Sequence, residues 1–285
     1  MTIKTRAPTL IPRPETEDWT FRLASLLEDR FPISGGGERK ALRILDLCTG
    51  TGCIPILLSH LRRQAGGITT AYGVDISTDA VSLAQENASD QSLAPSSNLD
   101  SIVSRSDNQG ASAEVVKGGE PGHRVNHGRG TAGPISASAA DRGRKSTLDV
   151  MRADILQEDF AQVVLSRMES PFDVITSNPP YIPLDEYEQL PNSVRRWEDR
   201  RALLGDPLTD GSEDCSKGRG LMFYHRIAQI VSVNGVLASN GVVALEVGHT
   251  QAEQVREILA ETGMVSGAEV WEDPWGIPRV VVGYR

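Results

Sequence analysis

The chain of 285 residues predicts an α/β fold with a mainly parallel sheet and one antiparallel strand near its edge. Three observations carry this expectation. Short apolar runs alternate with stretches of helical periodicity, the pattern of strands joined by crossover helices. Two of the runs stop at unusual residues, Cys48-Thr49-Gly50-Thr51-Gly52 after one and Asn178-Pro179-Pro180-Tyr181 after another, and strand ends are where open α/β sheets keep their chemistry. The last two runs, 268–272 and 279–284, flank Pro274-Trp275-Gly276, a hairpin signal that reverses the final strand.

Taken in order, Trp19, Leu23, Leu26 and Leu27 have helical spacing. They predict an entry helix capped by Thr16, with Glu17 and Asp18 at its positive end. Phe31-Pro32 and the run from Ser34 to Gly37 end it. Residues 41–47 read as a strand, and the Gly-rich turn leads into a helix over 53–63. The dinucleotide fingerprint would need glycine at position 55, where Pro55 stands, so an NAD-type site is disfavoured. Residues 70–75 form a second strand ending in Asp75, about 25 residues past the turn and close to the spacing that serves ribose hydroxyls. Ser77 then caps a helix to residue 88.

From residue 89 to 147 the pattern dissolves into Ser, Gly, Ala, Asp and Arg. Ordinary loops reach about 12 to 15 residues, so this tract reads as a dispensable disordered insertion; Arg124, Arg129, Arg142 and Arg144 are too sparse for a strong docking arm. A strand resumes over 148–153. Asp154 at its end either meets an adenine amino group or caps the helix over 158–168. Residues 172–177 are a buried strand that two prolines terminate. The polar tract 182–220, placed directly after that turn, suits a lid or substrate-recognition element, with Trp197 a candidate substrate contact. A helix over 221–233, a strand over 241–247 and a helix over 251–262 complete the alternation. The organisation expected is an entry segment, 1–40, and a catalytic domain, 41–285, interrupted by the insertion.

Composition narrows the function. A net charge of −9 argues against a general polyanion-binding surface, so stable nucleic-acid binding is not expected. Cys48, Cys53 and Cys215 form neither a disulfide framework nor a zinc knuckle. His123 and His127 lack a helical frame and nearby carboxylates, so no metal is expected. Neither a membrane span nor a secretory signal is evident.

Asn178-Pro179-Pro180-Tyr181 offers specific chemistry. The Asn178 side-chain oxygen and the Pro179 carbonyl are two acceptors that can converge on one NH2 group, and Tyr181 adds a flat face. Such a site suits a planar, poorly nucleophilic nitrogen, as in a carboxamide or an adenine, because two accepted bonds fix its orientation.

In this order, the strand with Asp46-Leu47-Cys48-Thr49-Gly50-Thr51-Gly52, the acid Asp75 and Asn178-Pro179-Pro180-Tyr181 resemble a class I S-adenosylmethionine-dependent methyltransferase acting on nitrogen. Leu10-Ile11-Pro12-Arg13-Pro14-Glu15-Thr16-Glu17, Leu245-Glu246-Val247-Gly248 and Gly276-Ile277-Pro278-Arg279-Val280-Val281 narrow the resemblance to the HemK/PrmC family. It implies a Rossmann-like, seven-stranded fold and methylation of the glutamine amide in the Gly-Gly-Gln motif of a peptide-chain release factor. By the same resemblance Asp46, Cys48, Thr49, Gly50, Thr51 and Gly52 hold S-adenosylmethionine, Asp75 binds its ribose and Asp154 lies near its adenine. Asn178 touches both cofactor and substrate; Pro179, Pro180 and Tyr181 complete the catalytic turn. Two departures stand out. Cys48 replaces the first glycine of the commonest cofactor motif, and the family's N-terminal helical domain is not seen before Leu10; the expectations left open are weakened release-factor docking, a truncated sequence, or a domain supplied by a partner. A mitochondrial release factor and location are expected, with the cytoplasm as alternative. Two other readings stay open: adenine-N6 methylation of nucleic acid, and a non-catalytic S-adenosylmethionine-binding scaffold.

Overall fold

The computed structural model describes residues 1–33, 40–93, 95, 145–206 and 218–285. Most of the expected insertion lies outside these residues, with His123, His127 and its four arginines, as do Cys215 and the run from Ser34 to Gly37. At its edges, regular structure continues to Asp90 and resumes at Thr147.

Seven strands form one sheet: β1 (Leu42–Leu47), β2 (Thr69–Asp75), β3 (Thr147–Arg152), β4 (Phe172–Ser177), β5 (Leu237–Glu246), β6 (Gly267–Glu272) and β7 (Pro278–Tyr284). Their order is β3-β2-β1-β4-β5-β7-β6, and β7 is antiparallel to both of its neighbours while the remaining pairs are parallel. The mainly parallel sheet with one reversed strand is thus as the sequence predicts. All six residues of β4 are buried, as expected of a central strand covered by helices on both faces.

The helices are α1 (Pro14–Arg30), α2 (Cys53–Gln64), α3 (Thr78–Asp90), α4 (Phe160–Arg167), α5 (Leu184–Gln189), α6 (Asn192–Trp197), α7 (Met222–Ser232) and α8 (Ala252–Glu261). Helix α1 starts at a proline, whose missing N–H costs nothing in a first turn, and carries Glu15 and Glu17 at its positive end and Arg30 at its negative end. Its N-cap is Arg13 and makes no side-chain capping bond. Thr16, expected as the cap, lies one turn inside and faces the core, 3% exposed. Trp19, Leu23 and Leu27 pack in one core with Ile44, Ile56, Val174 and Val282. Ser77 does cap α3, accepting from the Ala80 N–H. The tract after β4, patternless in sequence, contains α5, α6 and a single 3-10 turn, Arg200–Ala202.

The order of strands determines where a site forms. From β1 the chain moves outward through β2 to β3, then returns to the other flank of β1 as β4. Ligands bind outside the carboxyl ends of strands at such a reversal. There Leu47 pairs with Ser177, so the turn after β1 and the turn after β4 leave the sheet side by side.

Candidate active site

A cavity of about 420 Å³ opens at this reversal. Cys48 and Gly50 from the first turn, Asp75 from the end of β2, Asp154 from beyond β3, and Asn178 and Pro180 from the turn after β4 all line it.

Asp75 fastens the wall together. One carboxylate oxygen accepts the Gly50 N–H at 2.9 Å and the other the Ser77 N–H at 2.9 Å, which ties the β1 turn to the head of α3. Burial pushes its carboxyl up, opposed by these backbone donors. Gly50 has φ +55, and a Cβ built there would meet nothing within 4 Å, so its backbone stands open. Asp154 accepts from the Leu156 N–H at 2.9 Å and from Gln157 Nε2 at 3.2 Å; it closes the loop before α4 while facing the cavity.

Asp46, Thr49, Thr51 and Gly52 lie one layer deeper. Asp46 is fully buried, and its two oxygens accept the hydroxyls of Thr49 and Thr176, each at 2.6 Å. Burial pushes this carboxyl up to about 7, against the two hydroxyls that favour its charged form. Its place is to brace the turn against β4. Gly52 has φ +78 and would bring a Cβ to 3.2 Å from the Cβ of Ala84, so it admits α3 close to the turn. Cys48 adopts φ +58, a left-handed conformation that explains why glycine suits this position. Burial pushes its thiol well up, and a neutral thiol is a poor nucleophile.

On the other side, Asn178 Nδ2 lies 3.4 Å from Thr16 Oγ1. No donor among the described residues reaches Asn178 Oδ1 or the Pro179 carbonyl. Pro179 is buried and Tyr181 partly so, and burial pushes the Tyr181 hydroxyl up. The Tyr181 carbonyl accepts from Gln251 Nε2 at 2.8 Å, and Gln251 Oε1 accepts the Gly248 N–H at 3.0 Å.

No family model matches the chain. It is 27% identical over 272 residues to the release factor glutamine methyltransferase of Lactococcus lactis, covering 95% of this chain and 68% of that protein. It is 30% identical over 253 residues to the protein of that name from Chlorobaculum tepidum, covering 89% and 60% respectively. Over nearly its whole length the chain is thus similar to release factor glutamine methyltransferases, the HemK/PrmC proteins. It spans about two thirds of the length of these curated relatives. Among solved structures, the human methyltransferase 10 domain containing protein superposes with a TM-score of 0.53 at 12% identity, over 99% of this chain and 88% of that one. That likeness speaks for the class I methyltransferase fold.

Trp197, a predicted substrate contact, stands apart from the cavity and is 57% exposed. Its neighbours turn inward instead. Glu198 is 5% exposed and accepts Arg13 Nη2 on both oxygens at 2.8 Å, and the Asp199 N–H donates to the Pro8 carbonyl at 2.8 Å. Residues Asp199 to Ala202 and Pro8 to Leu10 therefore both face the cavity, joined by that backbone contact into one covering layer. The segment before Pro8 is held by buried Asn87, which accepts the Lys4 N–H at 2.9 Å and donates to the carbonyls of Lys4 and Thr51. Sequence reading missed Pro8, Thr9 and Phe223 as cavity residues. The useful signal was the Arg13–Glu198 charge pairing, which is invisible without knowing that positions 185 apart meet.

Proposed function

We propose that the protein transfers the methyl group of S-adenosylmethionine to the side-chain amide nitrogen of the glutamine in the Gly-Gly-Gln motif of a release factor. The observation that carries this reading is the polarity of Asn178. Its NH2 group is turned to Thr16, which leaves its oxygen, beside the Pro179 carbonyl, to accept from a ligand NH2 group. Similarity to release factor glutamine methyltransferases supports the substrate class.

The residues present fit S-adenosylmethionine. Asp75 keeps spare lone pairs at the cavity wall for ribose hydroxyls, Gly50 offers open backbone, and the buried Thr9 hydroxyl, on the same wall, has no partner among the described residues. Ile76, Ile155, Leu156 and Phe223 give an apolar slot beside Asp154 for a purine. When bound, S-adenosylmethionine supplies a methyl group already activated by its sulfonium, so the protein needs neither metal nor nucleophile. Its task is alignment. Asn178 Oδ1 and the Pro179 carbonyl hold the two amide protons, fix the nitrogen in the plane that faces the methyl carbon, and favour the positive charge that develops on it. The new nitrogen–carbon bond would form as the carbon–sulfur bond breaks, leaving the neutral thioether, and the cationic amide would then lose one of its two protons to solvent as the product departs; the two carbonyl oxygens orient that proton but are too weakly basic to keep it. Asp199 to Arg201 and Pro8 to Leu10, as the covering layer, keep water away.

The test is mass spectrometry of release factors incubated with the protein and S-adenosylmethionine, offering a bacterial-type and a mitochondrial-type factor; the sequence favours the mitochondrial one. One methyl gained on the Gly-Gly-Gln glutamine is the expected result. Asn178→Ala removes one oriented polar partner, which costs about 3 to 4 kcal/mol of barrier or roughly 10² to 10³ in turnover, while S-adenosylmethionine affinity stays within about threefold. Equal loss of turnover and cofactor affinity would refute the role given to Asn178.

A further inference from the structure

Thr16 and Glu246 are buried polar residues that the cofactor cavity does not use. Thr16 comes from the first turn of α1 and Glu246 from the end of β5, 230 residues away, and both are about 3% exposed. Thr16 Oγ1 donates to Glu246 Oε2 at 2.6 Å, and Trp19 Nε1 donates to the same oxygen at 2.8 Å. The Glu246 backbone carbonyl accepts the hydroxyl of fully buried Tyr224 at 2.9 Å, so the carboxylate has a fixed base. These contacts lie directly behind Asn178.

The direction of each hydrogen bond follows from the inventory of donors. An indole N–H can only donate, so Oε2 is an acceptor towards Trp19. Burial pushes the Glu246 carboxyl up, opposed by the Thr16 and Trp19 donors; in the ionised form that these donors favour, Oε2 has lone pairs for a second donor, and Thr16, 2.6 Å away, is that donor. The Thr16 hydroxyl has a single proton, now committed to Glu246. What it presents to Asn178 is therefore a lone pair. Of the two ends of the Asn178 amide, only the NH2 end can face a lone pair; with the amide turned over, oxygen would face oxygen across 3.4 Å. At that length the contact is weak as a bond, but it discriminates between the two orientations, because one is attractive and the other repulsive.

We propose that Thr16, held by Glu246 and Trp19, is a positioning residue that sets the polarity of the Asn178 amide, so that Asn178 presents an acceptor and not a donor to the substrate nitrogen. The inference rests on the reading of Asn178 as the group that binds the substrate amide, and it adds the reason that Asn178 binds NH2 groups and rejects carbonyls. Without the relay the amide would populate both orientations, and the turned-over form would offer NH2 to NH2.

Thr16→Val removes the lone pair while keeping the volume, and Thr16→Ser keeps the hydroxyl. The expected result is a kcat lowered at least about tenfold in Thr16→Val, with S-adenosylmethionine affinity unchanged, and a return to within about threefold of wild type in Thr16→Ser. A purely structural role for Thr16 would instead lower cofactor binding and kcat together, or leave the serine variant as slow as the valine one. Nitrogen-15 NMR of the wild-type side-chain amides, with the Asn178 signal assigned by its loss in Asn178→Asp, gives a readout that needs neither substrate nor a folded valine variant. The relay predicts two distinct Asn178 NH2 protons with slow solvent exchange. Exchange as fast as that of exposed asparagines, or turnover of Thr16→Val within about twofold of wild type, overturns the proposal. If the glutamine reading is what fails, wild-type protein leaves release factors unmethylated while the NMR result stands.

Discussion

Asp46 gives the most quantitative prediction. Its carboxyl is fully buried beneath the cofactor turn and is pushed up to about 7 by that burial, from an ordinary value of 3.8. In the unfolded chain the same group ionises freely near its ordinary value. Between those two values the folded protein holds a proton that the unfolded chain has released, so this group favours folding fully below about pH 4 and loses that contribution as pH rises through about 7. Each tenfold difference in proton affinity is worth about 1.4 kcal/mol. The span from 3.8 to about 7 is roughly three such factors, on the order of 4 kcal/mol. Asp46→Asn is the clean perturbation. A protonated carboxyl and a carboxamide each present one donor side and one acceptor side, and the Thr49 and Thr176 hydroxyls can turn to meet either. Urea titrations from pH 4 to pH 8 should therefore show the two proteins nearly equal at pH 4, with the asparagine variant gaining progressively to a few kcal/mol at pH 8. A stability difference that stays flat with pH would refute the reasoning, since it would mean that Asp46 is ionised in the folded protein throughout.

Two further substitutions test the supports of the site. Gly220 has φ +69, and a Cβ there would lie 1.9 Å from the Tyr181 carbonyl oxygen, whereas Gly218 has φ +86 with nothing within 4 Å. Gly218→Ala should cost only the strain of a left-handed residue, about 1 to 2 kcal/mol, with turnover unchanged. Gly220→Ala should cost more than that and lower turnover as well, because Tyr181 must move; equal effects of the two in urea titration and methyl-transfer assays would contradict this. Arg13→Ala leaves buried Glu198 without its cation, at a cost of about 2 to 3 kcal/mol, and should weaken S-adenosylmethionine binding by calorimetry because Asp199 to Arg201 rest on that contact. Unchanged cofactor affinity would detach the covering layer from the cavity.

The centre of the sheet was readable from sequence because its strands are buried on both faces and so appear as mainly apolar runs; β4, buried throughout and stopped by two prolines, is the plainest case. Cavity residues at strand ends were readable from their position: Asp75, Asp154 and Asn178 stand at or just past the carboxyl ends of β2, β3 and β4, and the structure gathers all three at one cavity. The covering layer was not readable. Helices α5 and α6 have six residues each and bury none of them, so no periodic signal existed to be found. Trp197 drew attention as an aromatic residue in a polar tract, yet the inward side of that tract is Glu198 and Asp199, whose partners Arg13 and Pro8 are distant in sequence. Thr16 was misread as a cap because a threonine next to acidic residues satisfies the local rule for a helix start; the global fold uses its hydroxyl on Glu246 instead.

These misreadings share a cause that bears on how the site works. Asp46 and Glu246 are acids that follow the apolar stretches 44–45 and 242–245 near the ends of β1 and β5, each more than 95% shielded from solvent and each accepting two donors from side chains. A buried carboxylate is costly, and apolar residues of similar volume would serve the fold as well or better. What apolar residues could not do is aim a hydroxyl. Asp46 holds Thr49 within the cofactor turn against β4, and Glu246 holds Thr16 behind Asn178, so each acid acts one layer below a group that must face the cavity in one orientation. The desolvation cost then falls on the two strand ends where direction matters, while central positions such as Ile44, Val174 and Val243 stay fully apolar. On this account Asp46→Asn, which keeps a donor and an acceptor, should gain stability at pH 8 with the turn intact, whereas Asp46→Leu should free Thr49 and weaken S-adenosylmethionine binding even where the protein remains folded.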